Sequence, residues 1–116
     1  MAKRLLAPVL TEILSAIEGI QSAVAGKTIE DFKENWLLRR GVERGIEIIS
    51  EAARHVPDEV LAQHPDIPWK QVRGVGNVLR HEYHRIAETV IWDVVANHLD
   101  PLKSAIEAML KSHSTE

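Results

Sequence analysis

The sequence contains no cysteine among its 116 residues. Disulfide bonds and thiolate metal sites are therefore excluded, and side-chain packing has to stabilise the fold. Because small secreted domains commonly depend on disulfides, the absence of cysteine predicts an intracellular protein that acts in the cytoplasm. Aromatic residues are also scarce, with three tryptophans, one tyrosine and one phenylalanine. Aliphatic side chains must then form most of the core.

Long apolar runs are missing as well, and nothing approaches the roughly 18 consecutive apolar residues of a transmembrane helix. A basic pair, Lys3 and Arg4, precedes apolar residues, but Pro8 and Glu12 interrupt them. We therefore expect neither a signal peptide nor a membrane span. Repeats, low-complexity segments and alternating strand patterns are absent too, and the length suits one domain over residues 1–116.

The first segment shows the periodicity of an amphipathic helix. Its apolar residues recur at spacings of three and four, at Leu6, Leu10, Ile13, Ile17, Ile20 and Val24. Such a stripe predicts a helix that buries one narrow face. Pro8 is compatible only with the first turn of this helix, and Gly26 is suited to its end.

A second, long helix is predicted from Thr28 to Val56, just before a proline. Thr28 and Asp31 have the spacing of a helix cap, and the helix would be roughly 40 Å long. Two glycines inside it, Gly41 and Gly45, each cost about 1 kcal/mol relative to alanine. Their spacing of four predicts a shallow groove where another helix approaches closely.

Prolines divide the second half of the chain into shorter pieces. We expect one or two helical turns within Asp58–His64, and a new helix that begins at Pro68 and Trp69. Two further helices are predicted over 87–97 and 101–111.

Asp100 is predicted to cap the last of these helices, with Pro101 at its first position. The pattern as a whole predicts an all-α, up-and-down helical bundle with one long helix. Bundles of this kind often pair, and we expect a homodimer.

The helix that follows Trp69 concentrates the polar chemistry of the chain in the segment Gly76-Asn-Val-Leu-Arg-His-Glu-Tyr-His-Arg. On a helical wheel one face holds the polar residues, which are Arg73, Asn77, Arg80, His81 and His84. Residues 69–85 carry four basic side chains against one acidic side chain, a net charge of +3, whereas the chain as a whole carries −3. The charge asymmetry is therefore local, and it surrounds the histidines.

Three pieces of the chain together resemble the HepT-like branch of the HEPN superfamily. These pieces are residues 42–53, Ile67-Pro68-Trp69, and the run from Asn77 to Tyr83. The resemblance covers most of the chain and implies a small α-helical protein that cleaves RNA without a metal ion or other cofactor. It also implies a toxin whose partner is a minimal nucleotidyltransferase antitoxin.

The family signature is an arginine, four residues, a histidine, one residue and a tyrosine. His81 and Tyr83 match its last two positions, and Asn77 matches the residue that commonly follows the arginine, but Gly76 stands at the arginine position itself. A histidine can move protons near neutral pH, and an arginine can stabilise the charge that develops on a phosphate. Arg73 or Arg80 is therefore the candidate replacement for the missing cation.

The resemblance further implies that the transferase attaches AMP to Tyr83, the only tyrosine. His84 and Arg85 are further candidates for binding on the same helix, and Arg44 and Glu51 are candidates for supporting the groove or the dimer interface. Because His81 and His84 are three residues apart rather than four, a zinc site of the protease type is not expected.

Two other interpretations stay open at this stage. A HEPN-like module without the motif arginine could serve only as a binding partner for the transferase. A purely structural helical adaptor would show no affinity for RNA, whereas both nucleic-acid interpretations require salt-sensitive RNA binding.

Overall fold

The computed structural model of the chain describes residues 5–82 and 88–113, with only the backbone described at positions 80 and 82. All regular elements in these ranges are helical, and none of the helices there is long and apolar enough to cross a membrane. The all-α bundle is thereby confirmed. The elements are α1 (Leu6–Val24), α2 (Ile29–Glu34), α3 (Trp36–Ala53), α4 (Asp58–Leu61), α5 (Trp69–Glu82), α6 (Glu88–Asp93), a π-helical segment (Val94–His98) and α7 (Leu99–His113).

The predicted stripe of α1 forms one side of the core. Leu10, Ile13 and Ile17 are fully or almost fully buried, and the helix packs against both α3 and α7. After α1 ends, Gly26 adopts a positive φ of 73°, which L-residues with a side chain rarely adopt. The predicted helix and its glycine end are confirmed.

The prediction of a single long helix from Thr28 to Val56 is wrong, because the helix is interrupted at Asn35. Thr28 does cap a helix, since its hydroxyl accepts from the Asp31 amide at 3.1 Å and its own amide donates to the Asp31 carboxylate at 2.9 Å. That helix, however, is the six-residue α2. Asn35 then has extended backbone angles, and its side-chain oxygen accepts from the Leu38 amide at 3.0 Å, which starts α3.

The C-terminal half also differs from the prediction, because Asp100 does not cap a new helix. The chain stays helical from Glu88 to His113, and Pro101 is the third residue of α7. Because proline has no N–H, Pro101 cannot donate a hydrogen bond to the preceding turn. The π-helical segment directly before α7, in which hydrogen bonds span five residues instead of four, accommodates this missing bond. The carboxylate of Asp100 instead accepts from the Gln21 amide group at 2.7 Å and ties α7 to α1.

Helix α3 lies in the middle of the bundle, with α1 on one side and α5 on the other. At Gly45, an added Cβ would lie only 2.7 Å from Cδ1 of Ile20. The predicted close helix approach is therefore confirmed at Gly45. Gly41 is exposed, and an added Cβ there would meet nothing within 4 Å. The other side of α3 holds α5, the helix that carries the candidate site.

Candidate functional site

Helix α5 is anchored at its first turn. The indole nitrogen of Trp69 donates to the His64 carbonyl at 3.0 Å, and the Val72 amide donates to the Pro68 carbonyl at 3.0 Å. Farther along, Leu79 is buried in the core. The start of the helix and one apolar face are thus fixed, which determines where the polar face points.

The opposite face presents three of the predicted site residues in a row. Arg73, Asn77 and His81 follow one another at intervals of four; Asn77 and His81 are exposed and Arg73 is half-buried. We name these three residues the α5 strip. Along an ideal helix, His81 lies about 6 Å from Asn77 and about 12 Å from Arg73. The backbone of Arg80 directly precedes His81 in the same helix, and its side chain is outside the described part of the structure.

Arg73 forms an ion pair at the end of the strip remote from His81. Its Nη1 lies 3.2 Å from Oδ1 of Asp58, the first residue of α4, and the Asp58 side chain is largely exposed. Exposed ion pairs of this kind contribute little net stability, with a typical value of about 0 to 1 kcal/mol. A phosphate could therefore compete with Asp58 for this guanidinium.

Gly76, the residue at the family's arginine position, is buried against α3. An added Cβ would lie 2.9 Å from both Cβ and Oγ of Ser50. The Ser50 hydroxyl accepts from the Gly76 amide at 3.0 Å and donates to the Arg73 carbonyl at 3.0 Å. This Ser50 bridge joins α3 to α5 at a close approach of the two helices. Position 76 consequently has no room for an arginine side chain.

The prediction from the sequence did not include Ser50. It is the only polar residue among the described residues that is buried, and it lies on the inward side of α3 beside Ile49 and Ala53. A serine within an apolar helix face usually has a hydrogen-bond partner, because a buried hydroxyl without one is costly. That signal was available in the sequence, whereas the identity of the partner was not.

Next to the bridge, α3 carries two carboxylates that are paired with arginines. Glu43 lies 3.1 Å from Arg40, Glu47 lies 3.3 Å from Arg44, and both glutamate side chains are mostly covered, with 13% and 19% exposed. Burial raises the pKa of Glu43, which Arg40 and Arg39 oppose and Glu47 and Glu88 reinforce. Arg44 remains 70% exposed and so presents positive charge to solvent on this side of α3.

Glu51, the remaining α3 candidate, contacts two residues of the turn that follows α3. Its carboxylate lies 4.0 Å from Arg54 and 3.5 Å from His55. Arg44 pairs within α3. Both residues therefore lie on the surface of α3, and these ion pairs do not connect them to the α5 strip.

Tyr83, His84 and Arg85 lie outside the described residues, so their predicted roles stay predictions. In residues 5–82 and 88–113, no group of three or more histidine, aspartate or glutamate side chains is arranged to hold a metal ion.

Comparison with known proteins identifies the family. A family model described as "Ribonuclease HepT-like" matches residues 13–109. "Putative RNase TTE0752" of Caldanaerobacter subterraneus is 32% identical over 104 residues, which cover 90% of this chain and 93% of that protein. "Probable ribonuclease HepT" of Thermococcus cleftensis is 31% identical over 88% of this chain and 93% of its own length. No solved structure matches the chain. The protein therefore belongs to the HepT-like ribonuclease family.

Proposed function

We propose that the protein is an endoribonuclease that cleaves RNA at the α5 strip without a metal ion. The observation that carries this proposal is the exposed His81 in the last turn of α5, with Asn77 one turn before it. Membership of the HepT-like ribonuclease family supports the same chemistry. We further propose that the protein acts in the cytoplasm.

Cleavage of an RNA chain by its own 2′-hydroxyl requires proton transfer and charge stabilisation. As the 2′-oxygen attacks phosphorus and the bond to the 5′-oxygen breaks, His81 would take the proton from the 2′-hydroxyl or give one to the departing oxygen. An arginine would hold the negative charge that develops on the phosphate oxygens. Asn77 would position the phosphate by a hydrogen bond.

The short axial distance to His81 favours Arg80 as this arginine. Arg80 adjoins His81 in the sequence, whereas Arg73 lies about 12 Å away along the axis and is held by Asp58. Arg73 would then bind a neighbouring phosphate of the same RNA. Both arginines therefore contribute to the site, but in different ways.

Purified variants test this assignment. We expect His81→Ala and Arg80→Ala to lower RNA cleavage by about 100-fold or more, and Arg73→Ala to weaken RNA binding more than the cleavage step. Circular dichroism should show an intact helical fold in all three variants. Unchanged cleavage by His81→Ala would refute the ribonuclease proposal.

We also propose that the protein is a homodimeric toxin, neutralised by a minimal nucleotidyltransferase that modifies Tyr83. The phenol oxygen of Tyr83 would attack the α-phosphorus of ATP, with release of pyrophosphate and of the phenol proton. The added phosphate would place negative charge two residues from His81 and repel RNA. Mass spectrometry after incubation with the transferase and ATP should show AMP on Tyr83, and a Tyr83→Phe variant should stay unmodified.

Gly76 favours a second candidate function, a binding module without catalytic activity. The family's arginine position is occupied here by a packing contact with Ser50 rather than by a cation. Such a module would bind the transferase, and any RNA that it also binds would stay uncleaved. Incubation of labelled RNA with the purified protein, followed by gel electrophoresis, separates the two functions.

A further inference from the structure

We infer that Trp36, the first residue of α3, is a stacking platform for an unpaired base of the RNA that reaches the α5 strip. This inference rests on the proposed RNA substrate and narrows it to single-stranded RNA. Trp36 has 62% of its surface exposed, which is unusual for so large an apolar side chain.

The other two tryptophans have structural partners. Trp69 is half-buried and donates its indole hydrogen to the His64 carbonyl. Trp92 is half-buried and packs against Phe32, with ring centroids 5.3 Å apart. Trp36 instead lies beside a cation, because the guanidinium carbon of Arg40 is 5.9 Å from its ring centroid. Packing thus explains two of the tryptophans and leaves the exposure of the third unexplained.

The packing of α3 against α5 places Trp36 and His81 toward the same end of the helix pair. The two helices run antiparallel, since Ser50 contacts both Arg73 and Gly76, and Gly76, the later of these two, also lies against Glu47, which precedes Ser50 in α3. From Glu47 to Trp36 the rise is about 16 Å, and from Gly76 to His81 it is about 8 Å in the same direction. Along the helix axes alone, Trp36 therefore lies about 9 Å beyond His81, and a short stretch of RNA can span this axial distance.

The surroundings of Trp36 suit a nucleic acid better than an apolar protein surface. Arg40 and Arg44 lie in the first turns of α3 after Trp36, where they pair with Glu43 and Glu47 of the same helix, and Arg44 is largely exposed. Such arginines can hold phosphates on either side of a base that stacks on the ring. A base inside a duplex already stacks on its neighbours, so the platform selects unpaired RNA.

RNA binding by variants of the full chain tests the inference. His81→Ala serves as the parent so that RNA stays uncut, and fluorescence anisotropy measures binding of a labelled single-stranded oligonucleotide. Stacking on an aromatic side chain predicts that Trp36→Ala weakens binding about 10-fold and that Trp36→Phe retains most of it. Leu5→Ala, which removes a similarly exposed apolar side chain at the N-terminal end of α1, should bind as the parent does.

An oligonucleotide with abasic sites supplies the second arm. Without bases to stack, it should bind the parent and Trp36→Ala equally well. Equal binding of the ordinary oligonucleotide by these two proteins would overturn the inference, as would an equal loss on both oligonucleotides. Light scattering tests whether Trp36 lies in an interface between two copies of the chain. Dissociation of a dimer by Trp36→Ala would assign Trp36 to such an interface and would also overturn the inference.

These results are separable from the ribonuclease proposal. Cleavage by the wild-type protein together with unchanged binding by Trp36→Ala contradicts the stacking platform alone. Base-dependent loss of binding in Trp36→Ala, with no cleavage by the wild-type protein, contradicts the ribonuclease alone.

Discussion

Gly74 and Gly76 lie two residues apart in α5 and have opposite surroundings. Gly74 is exposed, and an added Cβ would meet nothing within 4 Å, whereas one at Gly76 would collide with Ser50. Glycine costs stability inside any helix, because its backbone loses the most freedom on folding. Only at Gly76 does close packing against a neighbouring helix offset that cost.

Alanine at the two positions should therefore change stability in opposite directions. We expect Gly74→Ala to raise the free energy of unfolding by about 0.5 to 1 kcal/mol. Gly76→Ala should lower it by about 1 to 3 kcal/mol, because Ser50 and α3 have to move. Urea unfolding of both variants measures the difference, and an equal gain in stability would contradict the tight packing at Gly76.

Glu43 makes the stability of the protein depend on pH. Its pKa is raised above the ordinary 4.5 by burial, so the folded protein binds this proton more tightly than the unfolded chain does. The contribution of Glu43 to the free energy of unfolding should thus fall as the pH rises above 4.5. Glu43→Gln removes this effect, and its stability relative to the wild type should increase between about pH 4 and about pH 7. A constant difference in urea unfolding across that range would contradict the expectation.

The residues of the site were only partly predictable from the sequence. The 3.6-residue period was enough to place Arg73, Asn77 and His81 on one face of one helix. The Ser50 bridge was not predictable, because it joins residues 26 positions apart whose meeting depends on how α3 and α5 cross. The ion pair of Arg73 with Asp58 depends on the same long-range packing.

Among the helices, the break at Asn35 shows the limit of periodicity as a guide. Apolar spacing continues through this position, so the sequence predicts one helix. A local competition decides otherwise, since the Asn35 side chain caps α3 and the Arg39 guanidinium donates to the Lys33 carbonyl at the end of α2. With α2 thus separated from α3, Phe32 lies fully buried against Trp92 of α6.

The cap at Asn35 should be measurable as a stability term. Asn35→Ala removes the acceptor for the Leu38 amide and should lower the free energy of unfolding by about 1 kcal/mol. Asn35→Asp keeps an acceptor at this position and should stay within a few tenths of a kcal/mol of the wild type. Thermal unfolding followed by circular dichroism compares the variants, and equal losses in both would show that the side-chain oxygen is not the stabilising group.

At the scale of the whole molecule, α1 and α3 leave an apolar hollow on the surface away from the core. Small residues line its floor and Leu37 stands exposed at its edge; the small residues are Ala16, Gly19, Ala23 and Gly41. A second apolar hollow, which contains Glu12, adjoins the first and shares Ala16 and Ile48 with it. Arg44 borders the first hollow and pairs with Glu47 of its own helix.

A two-fold axis near Ala16 and Ile48 would place each hollow of one copy on the other hollow of its mate. If the homodimer forms there, Gly41→Arg should dissociate it, since the bulky cation blocks close approach. The fold should survive because the position is open and arginine is the better helix former. Light scattering should show a dimeric wild type and a monomeric Gly41→Arg variant. The free energy of unfolding of the variant should be no lower than that of the wild-type monomer.

Gly45→Ala, whose added methyl group collides with Ile20, is the contrasting variant that weakens the fold itself. A dimeric Gly41→Arg would place the interface elsewhere, and a monomeric wild type would contradict the homodimer.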